Sequence, residues 1–525
     1  MFVVLINCRI GYQDTACGSY LGGPTNNPLA HQYPEYSWTN SLPWSCVYNI
    51  EDFSGSSDQE RFNLARDIAY TRGGGVIFLP AGTYIFEEDL VLKEGIVIRG
   101  ASPILQDAKN DSYSPRTKLI FPQYQPVQSG TGTPNKTAFK TIRTTNPDID
   151  RNIGLINLDI NRAAVTFGNN IDESQNSNIV IYGIRQNNVA TPNPYVPNLE
   201  FQSPWLRFSD LLSANIKVTA KSNVLIANNR LNDNITDSFE QDNYQIQRKN
   251  GSVEVLAEGW KVPFNYTNHY GISVNRFKNG SILFEPLATP EKEKGLFRKR
   301  IIIRNNWVYH TMSVGIHASG DGLVIKDNIV LDKADKRWYT DRWGLGPPYL
   351  NDSDRIPPNI TYENRAIDWS GWNVIIEGNT YQVYRHFLSN TSNQSIDGEG
   401  ILIQECCGGT KVKGVSIKQN VGNSYIGLYK IPDIMNVMIL GNQLLSNITD
   451  TELIYVNADT NQKPGQMHGV QINQNILNGS ILIKASLGGN HNIVSNNVSK
   501  GDNAINFSSD VKLENNINFE IINLK

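Results

Sequence analysis

The stretch SIDGEG, residues 395–400, sets two carboxylates two positions apart, Asp397 and Glu399, each followed by a glycine that permits a tight backbone. A pair of carboxyl groups is what hydrolysis of a glycosidic bond asks for: one donates a proton to the leaving oxygen, the other acts as base or nucleophile. Glu240 and Asp242 in SFEQDN form a second such pair, and Asp368 in RAIDWSGW is a third candidate. His317 in VGIHASG can tune a neighbouring carboxylate or bond a sugar hydroxyl.

A competing chemistry uses other side chains. Elimination from a uronate needs a group that neutralises the substrate carboxylate and a base that removes the adjacent proton. Arg385, His386 and Tyr270 have the right types for base, neutraliser and proton donor, and Arg365 and His269 add further contacts for an anionic group. Trp338, Trp343, Trp369 and Trp372 offer faces on which sugar rings stack.

These residues need a scaffold, and the scaffold is repetitive. An apolar–any–apolar run closing on Asn recurs as VLIANN (to Asn229), IIIRNN (Asn306), LVIKDN (Asn328), VIIEGN (Asn379), VSIKQN (Asn420), VMILGN (Asn442), VQINQN (Asn475), NIVSNN (Asn497) and VKLENN (Asn516). Three spacings are 22 residues, and the 41 between Asn379 and Asn420 reads as two units. A repeat this short, built of β-branched alternating runs, fits one coil of a parallel β-helix, each coil stacked about 4.8 Å from the next. Asn suits the bend between strands because it tolerates left-handed backbone and its amide can bond the Asn of the next coil. A second marker, Gly followed by an apolar residue, recurs in YGISVN, VGIHAS, EGILIQ and IGLYKI, and aligns Ile272, Ile316, Ile401 and Leu428 inward with His317 outward.

The chain before the repeats supplies a cap. Asp58–Thr71 reads as an amphipathic helix with Phe62, Leu64, Ala65, Ile68 and Ala69 on its apolar side, ended by Gly73–Gly75, and VIFLPAGTY then reads as strand, turn, strand. This helix, glycine run and LPAGTY resemble the N-terminal cap and first coil of the pectate-lyase-like right-handed parallel β-helix superfamily. The resemblance implies a polysaccharide-active protein, a class that includes hydrolases, lyases, sugar epimerases and viral tailspikes. Neither the DPHD-type epimerase motif nor the NTD, GHG, RIK series of polygalacturonases is present. Some lyases of this superfamily hold calcium; no tight Asp cluster of that kind is seen, so no cofactor is expected, with calcium the one ion the resemblance leaves open.

Extra sequence must leave the stack as loops. The intervals from Asn229 to Gly271, Asn328 to Val374 and Asn379 to Gly400 are long, whereas Asn306 to Gly315 and Asn420 to Gly427 are short. All three insertions follow the Asn bend, so they should line one edge and wall a groove holding the residues above. Glu399 occupies a position where Tyr270, Val314 and Ile426 stand on other coils. A carboxylate buried there without a partner would cost several kcal/mol, so a groove-mouth general acid is expected.

The chain has 525 residues and net charge −3, with no basic stripe for nucleic acid and no apolar run long enough to span a membrane. Five cysteines fit no zinc pattern; Cys8, Cys17 and Cys46 allow one disulfide in an exported protein, and Cys406 and Cys407 are adjacent. MFVVLINC resembles the tail of an export signal. Residues 1–49 are therefore expected as an N-terminal extension and 50–525 as one all-β, single-chain right-handed parallel β-helix, secreted, periplasmic or on the cell surface, and monomeric. The expected function is glycoside hydrolysis of a polysaccharide, anionic by the arginines. A uronate lyase and a non-catalytic glycan binder of adhesin or tailspike type are the alternatives.

Overall fold

The computed structural model describes residues 22–122, 140–169, 175–187, 189, 213–232, 245–247, 253–255, 269–275, 299–310, 314–332, 360–361, 365–388, 393–404, 411–448, 451–460, 464–508 and 510–524. At 213, 245–247, 253–255, 269, 299, 310, 332, 360–361, 385–388 and 393–397 the description is of the backbone alone. Glu240, Asp242, Trp338 and Trp343, and Cys406 with Cys407, lie outside the described residues.

The chain forms the expected right-handed parallel β-helix. Forty strands of the described residues join in one parallel hydrogen-bonded array. Each coil contributes to three stacks. One contains Ser222–Ala227, Lys299–Arg304, Val324–Lys326, Ile375–Glu377 and Val412–Lys418. After the Asn bend comes a stack of short strands, among them Arg230–Leu231, Trp307–His310, Ile329–Asp332 and Thr380–Gln382. The third, called here the site sheet, holds Ser213–Val218, His269–Val274, Val314–Asp321, Arg365–Trp372, Glu399–Gln404, Ile426–Tyr429 and Glu452–Asn457. The inward side chains of all three stacks form one apolar column.

The Asn bend is a continuous amide ladder. Asn229 donates through Nδ2 to Oδ1 of Asn306 at 2.9 Å, and the same bond repeats through Asn328, Asn379, Asn420, Asn442, Asn475, Asn497 and Asn516. Each Nδ2 also reaches a backbone carbonyl of the coil below, as from Asn379 to Ile325 O at 3.0 Å. Buried amides are thereby satisfied on every side, which removes the penalty of burying them. Two expectations need correction. Asn379 bonds Asn420 directly, so the 41 residues between them are one coil with an insertion, not two coils. The left-handed residue is the one before the ladder Asn, namely Asn228, Asn305, Asp327, Gly378, Gln419, Gly441, Gln474, Asn496 and Asn515. The ladder residue itself is held by its side chain.

The N-terminal cap is Asp58–Thr71, with the Ser57 hydroxyl accepting from the Glu60 amide at 3.2 Å and left-handed Gly73 and Gly74 after its end. Phe62, Ala65 and Ala69 are fully buried over the end of the column, where Phe62 meets Phe86 edge-on and Phe86 stacks on Phe121. Leu64 is 41% exposed and falls off that face. Val47–Asn49 already pairs with Gly75–Leu79, and Leu29, Tyr33, Leu42 and Trp44 pack on outward Val76, Val97, Val180, Leu225 and Ile302, so residues 22–46 strap several coils together. Cys46 is disulfide-bonded.

Candidate active site

The insertions leave at one corner, but not at the Asn bend: each follows the short strand after it, Arg230–Leu231, Ile329–Asp332 or Thr380–Gln382, and precedes the site sheet. The second and third meet there: Tyr384–Leu388 and Asn393–Asp397 form an antiparallel hairpin, and Ile360–Thr361 adds to its edge. Asp397 stands at the base of that hairpin opposite Tyr384, one residue from Gly398 and two from Glu399. Arg385 and His386 lie on its other strand, His386 opposite Ser395. The backbone of His269 opens the strand that carries Tyr270.

The Gly-apolar marker is the corner itself. A Cβ on Gly271 would lie 2.6 Å from the Gly315 carbonyl oxygen, and one on Gly400 would lie 2.3 Å from that of Tyr425. Only minimal side chains fit at this bend; Ala366 is the equivalent in its coil. The residue before each bend swings to the outer surface, and Tyr270, Val314, Arg365 and Glu399 follow one another in register. One place beyond the bend the inward residue is Ile272, Ile316, Ile367 or Ile401, and the next outward ones are Ser273, His317, Asp368 and Leu402. The marker misaligns the following coil by two: Ile401 pairs with Ile426, not Leu428, so Ile426 is not the counterpart of Glu399. A shift of two preserves the inward face.

These two rows bring five predicted residues together. Tyr270 and His317 stack nearly parallel, ring centroids 5.3 Å apart at 9°. His317 Nδ1 lies 3.3 Å from Asp368 Oδ2, and Arg365 Nη1 donates to the same oxygen at 3.3 Å. Arg365 Nε donates to Glu399 Oε2 in a short charge-assisted bond. All five are buried, His317 at 1% and Glu399 at 9% exposure. Beneath them Tyr381 donates to the Ser424 carbonyl at 2.7 Å, and the Ser424 hydroxyl donates to Gly398 O, fixing the approach to Glu399. Burial pushes the Tyr381 phenol well above its ordinary range.

Three expectations change. Glu399 is not at a solvated groove mouth; it is buried and paired with Arg365, the condition under which such a carboxylate is tolerated. Arg365 is therefore engaged by Glu399 and Asp368 and holds them rather than a substrate anion. Trp369 is fully buried among Ile367 and Ala366 in the apolar column, so it packs the core and presents no face to a sugar. Its position between outward Asp368 and Ser370 gives that away by simple alternation. Trp372, at the strand's far end opposite Asp321, is half-buried and away from the His317–Asp368 row. Sequence reasoning named each residue of the cluster but not the pairing of Arg365 with Glu399, whose 34-residue separation carries no local signal.

Among the described residues no three His, Cys, Asp or Glu side chains gather as a metal site, and no helix is long and apolar enough to cross a membrane.

No family model matches the chain, and no curated protein does. Several solved structures are similar to it. The A-module of the Azotobacter vinelandii mannuronan C-5 epimerase AlgE6 aligns over 91% of this chain and 99% of its own, at 12% identity and TM-score 0.41. The Streptococcus pneumoniae surface protein and adhesin PfbA aligns over 90% and 98%, at 12% identity and TM-score 0.41. A tailspike protein of the E. coli bacteriophage HK620, in complex with a pentasaccharide, aligns over 90% and 80%, at 9% identity and TM-score 0.41. At these values the likeness says nothing of the chain's chemistry.

Proposed function

We propose that the protein is a polysaccharide-active enzyme of the cell exterior, a glycoside hydrolase whose reacting carboxylates are Asp368 and Glu399. The observation that carries this reading is that one guanidinium, Arg365, bonds both carboxylates on adjacent coils of the outer sheet face. Two oxygens within hydrogen-bond reach of one guanidinium are held within roughly 8 Å of each other, the range that acid and base or nucleophile occupy in glycosidases. Charge favours hydrolysis over elimination. Among the described side chains Asp368 and Glu399 against Arg365 leave a negative excess, whereas elimination needs positive charge for the substrate carboxylate. The expectation of an anionic glycan rested partly on Arg365 and weakens with it. Export is supported by the disulfide at Cys46.

A second reading has one observation in its favour. His317 lies 3.3 Å from Asp368 and stacks on Tyr270, a placement that suits a general base and would serve a lyase acting on uronates. A panel of neutral and uronate-containing polysaccharides separates the two. New reducing ends without an unsaturated product identify the hydrolase; the ultraviolet absorbance of an unsaturated uronate identifies the lyase. Binding without either product would leave a glycan-binding protein and reject both enzymes.

A further inference from the structure

The site sheet continues past Asp368, and its outer face changes character there. Asp368 is followed in register by Leu402, Gly427 and Tyr455 on successive coils. Tyr455 stacks on Tyr429 with centroids 5.3 Å apart at 29°. Tyr429 is 37% exposed, a large ring left on an otherwise well-packed sheet. Around the pair are groups that bond hydroxyls. Asn457 donates through Nδ2 to the Tyr455 hydroxyl at 3.1 Å, and Lys430 sets its ammonium 4.8 Å from the Tyr429 ring centre. Lys484 follows Asn457 in register on the next coil.

We infer that Tyr429 and Tyr455 form a distal sugar-binding subsite that holds a pyranose ring of the same glycan whose bond lies at Asp368 and Glu399. The inference rests on the reading of those carboxylates as the reacting centre. The coils repeat at about 4.8 Å, so Tyr455 lies some 14 Å from Asp368 along the solenoid axis. A sugar unit in an extended glycan advances by nearly one coil, and the platform is therefore about three units from the scissile bond. A partly exposed pair of stacked rings, with an ammonium over one and an amide bonded to the hydroxyl of the other, offers what a pyranose needs: apolar contact for C–H groups and polar groups for hydroxyls. The subsite thus sets a minimum substrate length and lays the glycan along the solenoid.

Affinity electrophoresis through gels carrying xylan, alginate, polygalacturonate or chondroitin sulfate tests this, with wild type, Tyr429→Ala, Tyr455→Ala, Tyr455→Phe and Asp368→Asn compared. The expected result is retardation of wild type by at least one of these glycans, weakened about fivefold to tenfold in the two alanine variants and retained in Tyr455→Phe and Asp368→Asn. Product release from the same polysaccharides is measured in parallel. Normal retardation of the alanine variants alongside normal cleavage overturns the subsite and leaves the hydrolase. Tyrosine-dependent retardation with no cleavage keeps the subsite and removes the hydrolase. No retardation of wild type by any of the four overturns it, and a change in sedimentation of the alanine variants without a change in glycan binding assigns the pair to contact between copies instead.

Discussion

His317 presents Nδ1 to Asp368 Oδ2 at 3.3 Å across two adjacent coils. Parallel register places them side by side, Ser273, His317 and Asp368 in one row. An imidazole and a carboxylate this close attract each other when the ring is protonated, and replacing either should be felt in the chemical step more than in binding. Asp368→Asn is expected to lower kcat by about 10²-fold or more, the scale of a lost acid–base group, with KM changed little. Steady-state kinetics on the polysaccharide found in the panel checks this; near-normal turnover in a folded variant would move the chemistry elsewhere.

Arg365 and Glu399 should behave as one energetic unit. Arg365→Met strands two buried carboxylates, for which a loss of about 3–5 kcal/mol is expected. Glu399→Gln removes one partner and should lower both stability and activity. In the double variant the losses should fall short of their sum by about 1 kcal/mol or more, because each substitution deletes the same bond. Urea midpoints of the four proteins measure the coupling, and strict additivity would show that the pair is not coupled.

The amide ladder should be sensitive in its middle and tolerant at its end. Asn379→Ala leaves a buried amide partner on each neighbouring coil, and about 2–4 kcal/mol is expected from two unsatisfied groups. Asn516→Ala, at the half-buried end, should cost under about 1 kcal/mol. Equal effects at the two positions would deny the ladder its role.

Asp459 predicts a pH dependence. Burial raises its pKa, but bonds from the Ser486 hydroxyl and the Ser486 and Gly465 amides, with Lys484 nearby, outweigh burial and hold it below the ordinary value. A carboxylate depressed in the folded state contributes stability above its unfolded pKa of about 3.9, and that contribution is lost as pH falls through the folded value. Asp459→Asn should therefore melt below wild type at pH 7, and the gap should close on acidification below about pH 4. A gap independent of pH would point to packing instead of charge.

The coil was legible because its signal is local: nine Asn residues at one bend and β-branched runs before each. The helix Asp58–Thr71 came from apolar spacing and the glycine run after it in the same way. What the sequence left hidden is lateral. Whether 41 residues make one coil or two depends on which Asn the chain returns to, and the shift that pairs Ile401 with Ile426 depends on the length of one corner. Trp369 was misplaced by its company: a tryptophan beside Asp368 invites a functional reading, while alternation puts it inside. Arg365 and Glu399 were each noticed for charge, but their bond exists because two bends stack.

The ladder bonds Asn379 to Asn420 across 41 residues at the same 2.9 Å by which it bonds Asn306 to Asn328 across 22. The frame is thus blind to how much chain leaves it at the other corner. Segments 333–364 and 383–398 can lengthen, shorten or be exchanged without a change in the height of a coil, so scaffold and recognition can evolve at different rates. Grafting the corner insertions of another solenoid onto these coils should change which glycan is accepted while leaving the melting of the frame where it was.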